Sequence, residues 1–406
     1  MNILVFNCGS SSLNYKVYRS NSSQELQIVL HGKAHRVGVK GSEASYIEHQ
    51  DGDGYSKETV TITNHRQAGK LVLDFVMNKS IKIDVIGHRF VHGGSYFQKS
   101  TMLNLQTMQN LKSCLPLAPI HNPNSLSVIE ECRQVMPDVP EYLTFDTAFH
   151  ADLPAWAYTY PLPISIVQSY GLRKYGFHGL SYQFVTKAAA DFLGKPLNTM
   201  RMIACHLGTG GSSVAAVKDG HSIDTSMGYS PLAGLMMSTR TGDLDPMVPV
   251  FLMKKYGYTP ETLTDCFNKN SGILGISGFS SDLRDILRRQ QETGDESATL
   301  AFEMYTYRLK KVIGSYITIL GGIDALIFTD DIGVSNWQVR EHVCHGLEWA
   351  GIVLDPEPNR LASPSQITQV SQKQERLKVL TVPTDEERVI AHEGIKLMQG
   401  AGYANI

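Results

Sequence analysis

An α/β protein made of two similar domains is the fold this sequence predicts, on three observations. Strand-rich and helix-rich blocks alternate along the chain, the pattern of sheets covered by helices. One strand–turn–strand motif near the start returns about two hundred residues later, as an internal duplication would require. The chain has 406 residues, 42 % hydrophobic and 19 % charged, enough apolar material for a large core and for two or more domains.

Taken in order, "NILVFN" and "YKVYR" are predicted strands, and "IDVIGHRFVHG" is a buried strand running into a glycine turn. "NLQTMQNLKSCLPLAPIHNPNSLSVIEECRQVM" predicts two helices split by a proline-containing loop. "EYLTFDTAFH" predicts a strand that ends in an acid-bearing turn, and "LSYQFVTKAAADFLG" a helix with a glycine stop. The repeated motif is seen by setting "NILVFNCGSSSLNYKVYRSNSSQ" against "RMIACHLGTGGSSVAAVKDGHSID". In each, an apolar strand, a turn of small polar residues and a second apolar strand follow one another.

Gly, Ser and Thr at a strand-to-strand turn expose backbone N–H groups and short hydroxyls with no bulky side chain in the way, and such concavities bind phosphate. For "CGSSS" alone, a tight turn without a ligand explains the residues equally well. Two such turns point instead to a polyphosphate held by both.

Composition narrows the partners. The formal charge of -2, from 37 basic and 39 acidic side chains, provides no field for nucleic acid or an anionic membrane. An anionic ligand must then be met by a local cluster. The opening residues lack a basic segment followed by a long apolar run, and "VIGSYITILGGIDALIF" is broken by Asp324 and glycines. A cytoplasmic protein is expected. Cys8, Cys114, Cys132, Cys205, Cys266 and Cys344 lie far apart with no Cys-x-x-Cys pair, which fits reduced thiols and contains no zinc signature. His88 and His92 have the i, i+4 spacing of a helical zinc pair, but Phe90, Val91 and the glycines favour an extended segment that separates them.

Several longer stretches, "FNCGSSSL", "GHRFVHGG", "LAPIHNP", "FDTAFH", "KYGFHGLSY", "HLGTGGSS", "DTSMGYSPLAGLMMSTRTGDLDP", "SGFSSDLRDI" and "VPTDEERVIA", resemble in order and spacing the motif set of acetate kinases and related short-chain acyl kinases. The resemblance runs from residue 2 to about residue 395. It implies the acetate and sugar kinase/heat-shock protein 70/actin superfold, two ribonuclease H-like α/β domains around a cleft, in a homodimer. Residues 1–150 with 385–406 would form the acyl and metal domain, and 151–384 the donor domain. It further implies Mg²⁺-dependent transfer between ATP and acetate. Phosphoryl transfer asks the protein for positioning and positive charge more than for covalent chemistry. By similarity, Arg89 binds the carboxylate, Arg240 stabilises the transition state, His178 steadies the transferring group, and Asp146 orients the acceptor or the metal. Asn7 and Glu386 match the magnesium positions, where oxygen donors suit a hard cation. Val91, Ile120, Phe177 and Pro231 match the walls of the acetate methyl pocket, with propionate a second acceptor. Asn14, the "HLGTG" turn (His206, Leu207, Gly208, Thr209, Gly210), the "DLR" of Asp282, Leu283 and Arg284, and the loop of Asp330, Asp331, Ile332 and Gly333 match the donor-binding segments. Read without the family, His178 is a hydrogen-bonded core histidine, Glu386 a carboxylate at a helix N-terminus, and Arg240 a salt-bridge partner of Asp243 or Asp245.

The departures from the family cluster on the donor side. Asn14 stands where a lysine is usual, Thr209 replaces an asparagine, and Leu180 and Tyr182 alter "FHGTSH". In "FTDDIGVSN", Asp330 and Asp331 replace two glycines of a loop that resembles "FTGGIGENS". Two carboxylates beside a polyphosphate repel it, strongly so where water is scarce. Three readings follow: an acetate kinase that uses ATP through a modified loop, one that uses pyrophosphate, and an idle acyl-phosphate-binding relative. Family frequency favours ATP, and retention of every transfer residue disfavours the idle relative.

Overall fold

The computed structural model describes residues 1–39, 41, 43–52 and 54–400, and the expected return of residues 401–406 to the first domain lies outside them. The chain divides into two compact units, Met1–Ala151 with the segment from Asp385 onward, and Asp152–Thr384.

In the first unit the strands are β1 (Asn2–Cys8), β2 (Ser12–Ser20), β3 (Leu26–His35), β4 (Tyr46–Asp51), β5 (Gly54–Thr59), β6 (Val85–Phe90), β7 (Thr101–Met102) and β8 (Glu141–Phe145). They form one sheet in the order β5-β4-β3-β2-β1-β6-β8-β7. β1 and β2 pair antiparallel, whereas β1, β6 and β8 run parallel. Side chains of β1 are buried on both faces from Ile3 to Cys8, as a central strand covered by helices must be. Leu4 and Phe6 meet Leu73 of helix α1 (His65–Asn78) in one core, and each such side chain stabilises the unit by about 1.5–3 kcal/mol. The predicted helix pair is present as α2 (Leu105–Ser113) and α3 (Asn122–Val135).

A C-terminal helix, Glu386–Gly400, returns to this sheet, with Asp385 accepting from the Arg388 N–H at its start. Two glycines let it approach. The Tyr142 hydroxyl donates to the Ile390 carbonyl (2.7 Å), and a Cβ on Gly87 or Gly394 would stand 2.3 Å or 2.5 Å from that hydroxyl.

The second unit contains β9 (Arg201–Gly208), β10 (Gly211–Lys218), β11 (His221–Thr225), β12 (Ala325–Thr329), β13 (Thr368–Gln369) and β14 (Lys378–Thr381), in the order β11-β10-β9-β12-β14-β13. Its β10-β9 hairpin followed by parallel β12 and β14 repeats the β2-β1-β6-β8 arrangement, so the echo in the sequence is an echo of topology. The helices used below are α4 (Gly179–Phe192), α5 (Met247–Tyr256), α6 (Leu283–Thr293), α7 (Glu296–Leu320), α8 (Asp330–Ser335) and α9 (Trp337–Cys344). Helix α7 is started by Asp295, whose carboxylate accepts from the Ala298 N–H, and packs Phe302 and Leu309 on Val214 and Phe328. The segment "FTDDIGVSN" corrects the reading of a loop: β12 ends at Thr329 and a short helix begins at once with Asp330. No described helix is long and apolar enough to cross a membrane.

Candidate active site

Both units place their polar chemistry at the carboxyl ends of parallel strands, where α/β sheets bind ligands. In the first unit, Arg89 near the end of β6 faces Asp146, the residue after β8. The guanidinium donates from Nε to Asp146 Oδ1 (2.8 Å), from Nη2 to Oδ2 (2.6 Å) and from Nη1 to Asn7 Oδ1 (2.9 Å). These contacts use three of the five guanidinium N–H groups, and Nη1 also lies 3.6 Å from Glu386 Oε2. Burial opposes its charge, but Asp146 and Glu386 outweigh burial and raise its pKa.

Asn7 carries the network onward, its amide donating to Glu386 Oε2 (3.1 Å) and Glu387 Oε1 (2.8 Å). Lys16 reaches Asp385 (2.8 Å) and Glu387 (3.2 Å). Two cations, Arg89 and Lys16, stand against four carboxylates, Asp146, Asp385, Glu386 and Glu387. The oxygens of Asn7 and Glu386 beside these carboxylates form a donor set that suits Mg²⁺ at the two expected positions. Sequence reasoning missed Lys16, Asp385 and Glu387. Lys16 was findable, since it lies two residues beyond Asn14 and shares its strand face. Asn14 itself sits cross-strand from Asn7 in the first unit, and the other segments expected to bind the donor belong to the second unit.

In the second unit the β9–β10 turn brings together His178 and Arg240, two of the residues expected from the sequence. A Cβ on Gly211 would meet Arg240 Nη1 at 3.1 Å and His178 Nε2 at 3.6 Å, so both side chains stand over this glycine. The Arg240 guanidinium pairs with no carboxylate among the described residues, and its Nη1 lies 3.9 Å from Met237 Sδ. The expected alternative partners are engaged elsewhere, Asp243 accepting from the Gly234 N–H and Asp245 from the Met247 N–H. Burial without a counter-ion lowers the Arg240 pKa. His178, at a left-handed φ of 58° before α4, bonds through Nδ1 to Ser213 Oγ (2.8 Å) and stacks on His206 with centroids 4.0 Å apart. The altered residue Tyr182 also bonds to Ser213 through its hydroxyl. Ser213 thus ties the two together, a role its place in "GGSS" did not announce.

The donor loop differs from what its charges alone suggest, because both aspartates have internal partners. Asp331 accepts from the Thr209 backbone N–H (3.0 Å) through Oδ1 and from the Thr209 hydroxyl (2.9 Å) through Oδ2. Asp330 Oδ2 lies 3.0 Å from His206 Nε2. Thr209 and Asp331, both departures from the family, are thus one contact. Asp330 also keeps a φ of 65°, the left-handed conformation that suits glycine. Gly333 is buried, and its carbonyl with that of Val334 accepts from the buried Arg340 of α9 at 2.8 and 2.7 Å. Burial lowers the Arg340 pKa to about 10. Asp282 caps α6 through the Arg284 N–H and pairs with the exposed Arg284 side chain, which also feels the Asp331 charge; Leu283 is buried. Leu207 and Gly208 close β9, and Gly210 stands in the turn. Of the expected methyl-pocket residues, Val91 and Ile120 belong to the first unit, and Phe177 and Pro231 to the second.

Residues 2–392 match the Acetokinase family. An acetate kinase of Thermoanaerobacter pseudethanolicus is 42 % identical over 408 residues, covering 98 % of this chain and 100 % of the relative. Among solved structures, the acetate kinase from Entamoeba histolytica is 41 % identical with a TM-score of 0.89, covering 98 % of this chain and 100 % of that one. A propionate kinase from Francisella tularensis is 33 % identical with a TM-score of 0.87, over 97 % and 98 % of the two chains.

Proposed function

Because the chain belongs to the acetokinase family, we propose that this carboxylate phosphotransferase takes its phosphoryl group from pyrophosphate rather than from ATP. Acetate kinase activity and the actin-like fold come with that membership. The observation that supports the choice of donor is the Asp331 carboxylate seated on the Thr209 N–H and hydroxyl. An anion of the protein already holds the donor group that a phosphate would use, with the charge of Asp330 beside it. A triphosphate chain with its nucleoside must pass these carboxylates; pyrophosphate asks only for a transferring phosphoryl group and one leaving phosphate. ATP remains the second reading, favoured by the match along nearly the whole chain.

In the direction of acetyl phosphate, an acetate oxygen attacks the terminal phosphorus of pyrophosphate, the P–O–P bond breaks and orthophosphate leaves. Arg89 would orient the acetate carboxylate, with Asp146 fixing the guanidinium plane. Arg240 would neutralise charge on the equatorial oxygens, and His178, locked by Ser213, would donate to one of them. Magnesium, when bound near Asn7 and Glu386, would supply charge neutralisation that lets anions approach an acidic cluster.

Acetyl phosphate formation from acetate and Mg²⁺, measured in parallel with ATP and pyrophosphate, tests the reading. Activity with pyrophosphate and little with ATP is expected; efficient turnover with ATP would overturn it, and silence with both would favour the idle relative. We also propose a homodimer. Helix α5 has no buried residue, and Phe251 and Tyr256, whose rings meet edge-on with centroids 5.7 Å apart, are each more than half exposed, an apolar patch that a second copy would cover. Sedimentation should give twice the chain mass for the wild type and the chain mass for F251E/Y256E; a monomeric wild type refutes the dimer.

A further inference from the structure

Beside Arg89 but distinct from the groups it contacts, the first unit buries a mixed nitrogen, sulfur and oxygen cluster. His88 of β6, Cys132 of α3 and Glu141 of β8 bring one ligand atom each to within 4.8 Å of one another. None is more than 6 % exposed. His88 Nε2 lies 2.7 Å from Glu141 Oε2, and its ring stacks on Phe6 (centroids 5.7 Å apart). His92, the residue that spacing would pair with His88, is engaged elsewhere, its Nδ1 accepting from the Gly94 N–H. The three groups are scattered in sequence and meet only because β6 and β8 are neighbours under α3. Glu141 also lines a cavity of about 1090 Å³, with Arg133, Met136, Asp138 and Asp84 in its wall. The residue that supplies the carboxylate thus stands at the edge of a space large enough for a solvated ion.

We propose that His88, Cys132 and Glu141 form a zinc site of the first unit, separate from the magnesium-associated residues Asn7 and Glu386. One imidazole, one thiolate and one carboxylate make the donor set of a borderline-soft cation, and zinc takes three protein ligands with a fourth position left to water. Binding replaces protons. The Cys132 thiol proton leaves to solvent, and the imidazole carries its proton on Nδ1 so that Nε2 can face the metal. The His88–Glu141 contact must open by roughly half an ångström or more to admit bonds of about 2.0–2.2 Å. The site would tie α3 to two strands of the sheet, directly behind Arg89.

Zinc alone, added to metal-stripped full-length protein, is expected to bind at one ion per chain and to raise the melting temperature. Cobalt as a stand-in should give a thiolate-to-metal charge-transfer band. That band should vanish in C132A and persist in C266A, whose cysteine is the partly exposed one. E141Q keeps a hydrogen-bonding partner for His88 and should weaken zinc about a hundredfold or more, since even outer partners of metal ligands are worth about 10–100-fold. It decides the matter if C132A does not fold. No zinc on the wild type, a cobalt band that survives in C132A, or E141Q binding as tightly as the wild type would each mean that the cluster is a hydrogen-bonded core pair beside a packed thiol, and would overturn the proposal.

Discussion

Replacing Arg240 by alanine is expected to lower kcat by about a thousandfold or more, the scale of a transition-state arginine in phosphoryl transfer, with a much smaller change in KM for acetate. The reason lies in what Arg240 lacks. Its guanidinium is largely buried over Gly211 beside His178, and it pairs with no carboxylate among the described residues. A buried structural arginine would look different: Arg340 donates four bonds, to Asn359 Oδ1 and O and to the Gly333 and Val334 carbonyls. Removing such a group strands its partners, and each buried acceptor left without a donor costs about 1–3 kcal/mol.

For Arg240 the sign of the stability effect is the reverse. Its charge is desolvated without compensation, so R240A should melt at or above the wild-type temperature while losing activity. R240K should restore only part of the rate, because an ammonium cannot reproduce the planar fork. Activity of R240A within tenfold of the wild type would remove Arg240 from the mechanism. A large fall in melting temperature would make it a structural residue.

What could be read from sequence was whatever follows from periodicity and short-range motif. The two hairpins, the helix pair around "LPLAPIHNP" and the strand ending just before Asp146 are local patterns, and each is where the residues predicted it. Long-range partnerships were not legible. Lys16 with Asp385 and Glu387 spans the whole chain, and nothing in "YKVYR" indicates which acids it meets. Arg240 could be nominated from "STRTGDLDP", but whether Asp243 neutralises it depends on the Gly234 N–H that Asp243 prefers. The donor loop is the plainest case. Two aspartates in place of glycines read as free negative charge, whereas folding gives each a partner, His206 and Thr209, on the neighbouring strand end.

Those partners make the donor loop the place where specificity can be changed. In D330G/D331G the Thr209 N–H is released, two charges leave the turn, and a glycine in place of Asp330 adopts the left-handed φ without strain. A unit charge near a protein surface acts at a few ångströms with up to about 4 kcal/mol, and each 1.4 kcal/mol is about a factor of ten. Activity with ATP should therefore rise by about tenfold to a thousandfold in kcat/KM, with a smaller change for pyrophosphate. D331N separates charge from shape: its side-chain oxygen can still accept from the Thr209 N–H, but the negative charge is gone. If repulsion is what excludes the nucleotide, D331N gains a large part of the ATP activity. Gain in the glycine variant alone would mean that occupancy of the turn is the barrier. A folded D330G/D331G enzyme that uses pyrophosphate as before and gains nothing with ATP would show that the choice of donor is made elsewhere, with Asp282 and Arg284 at the start of α6 the next residues to change.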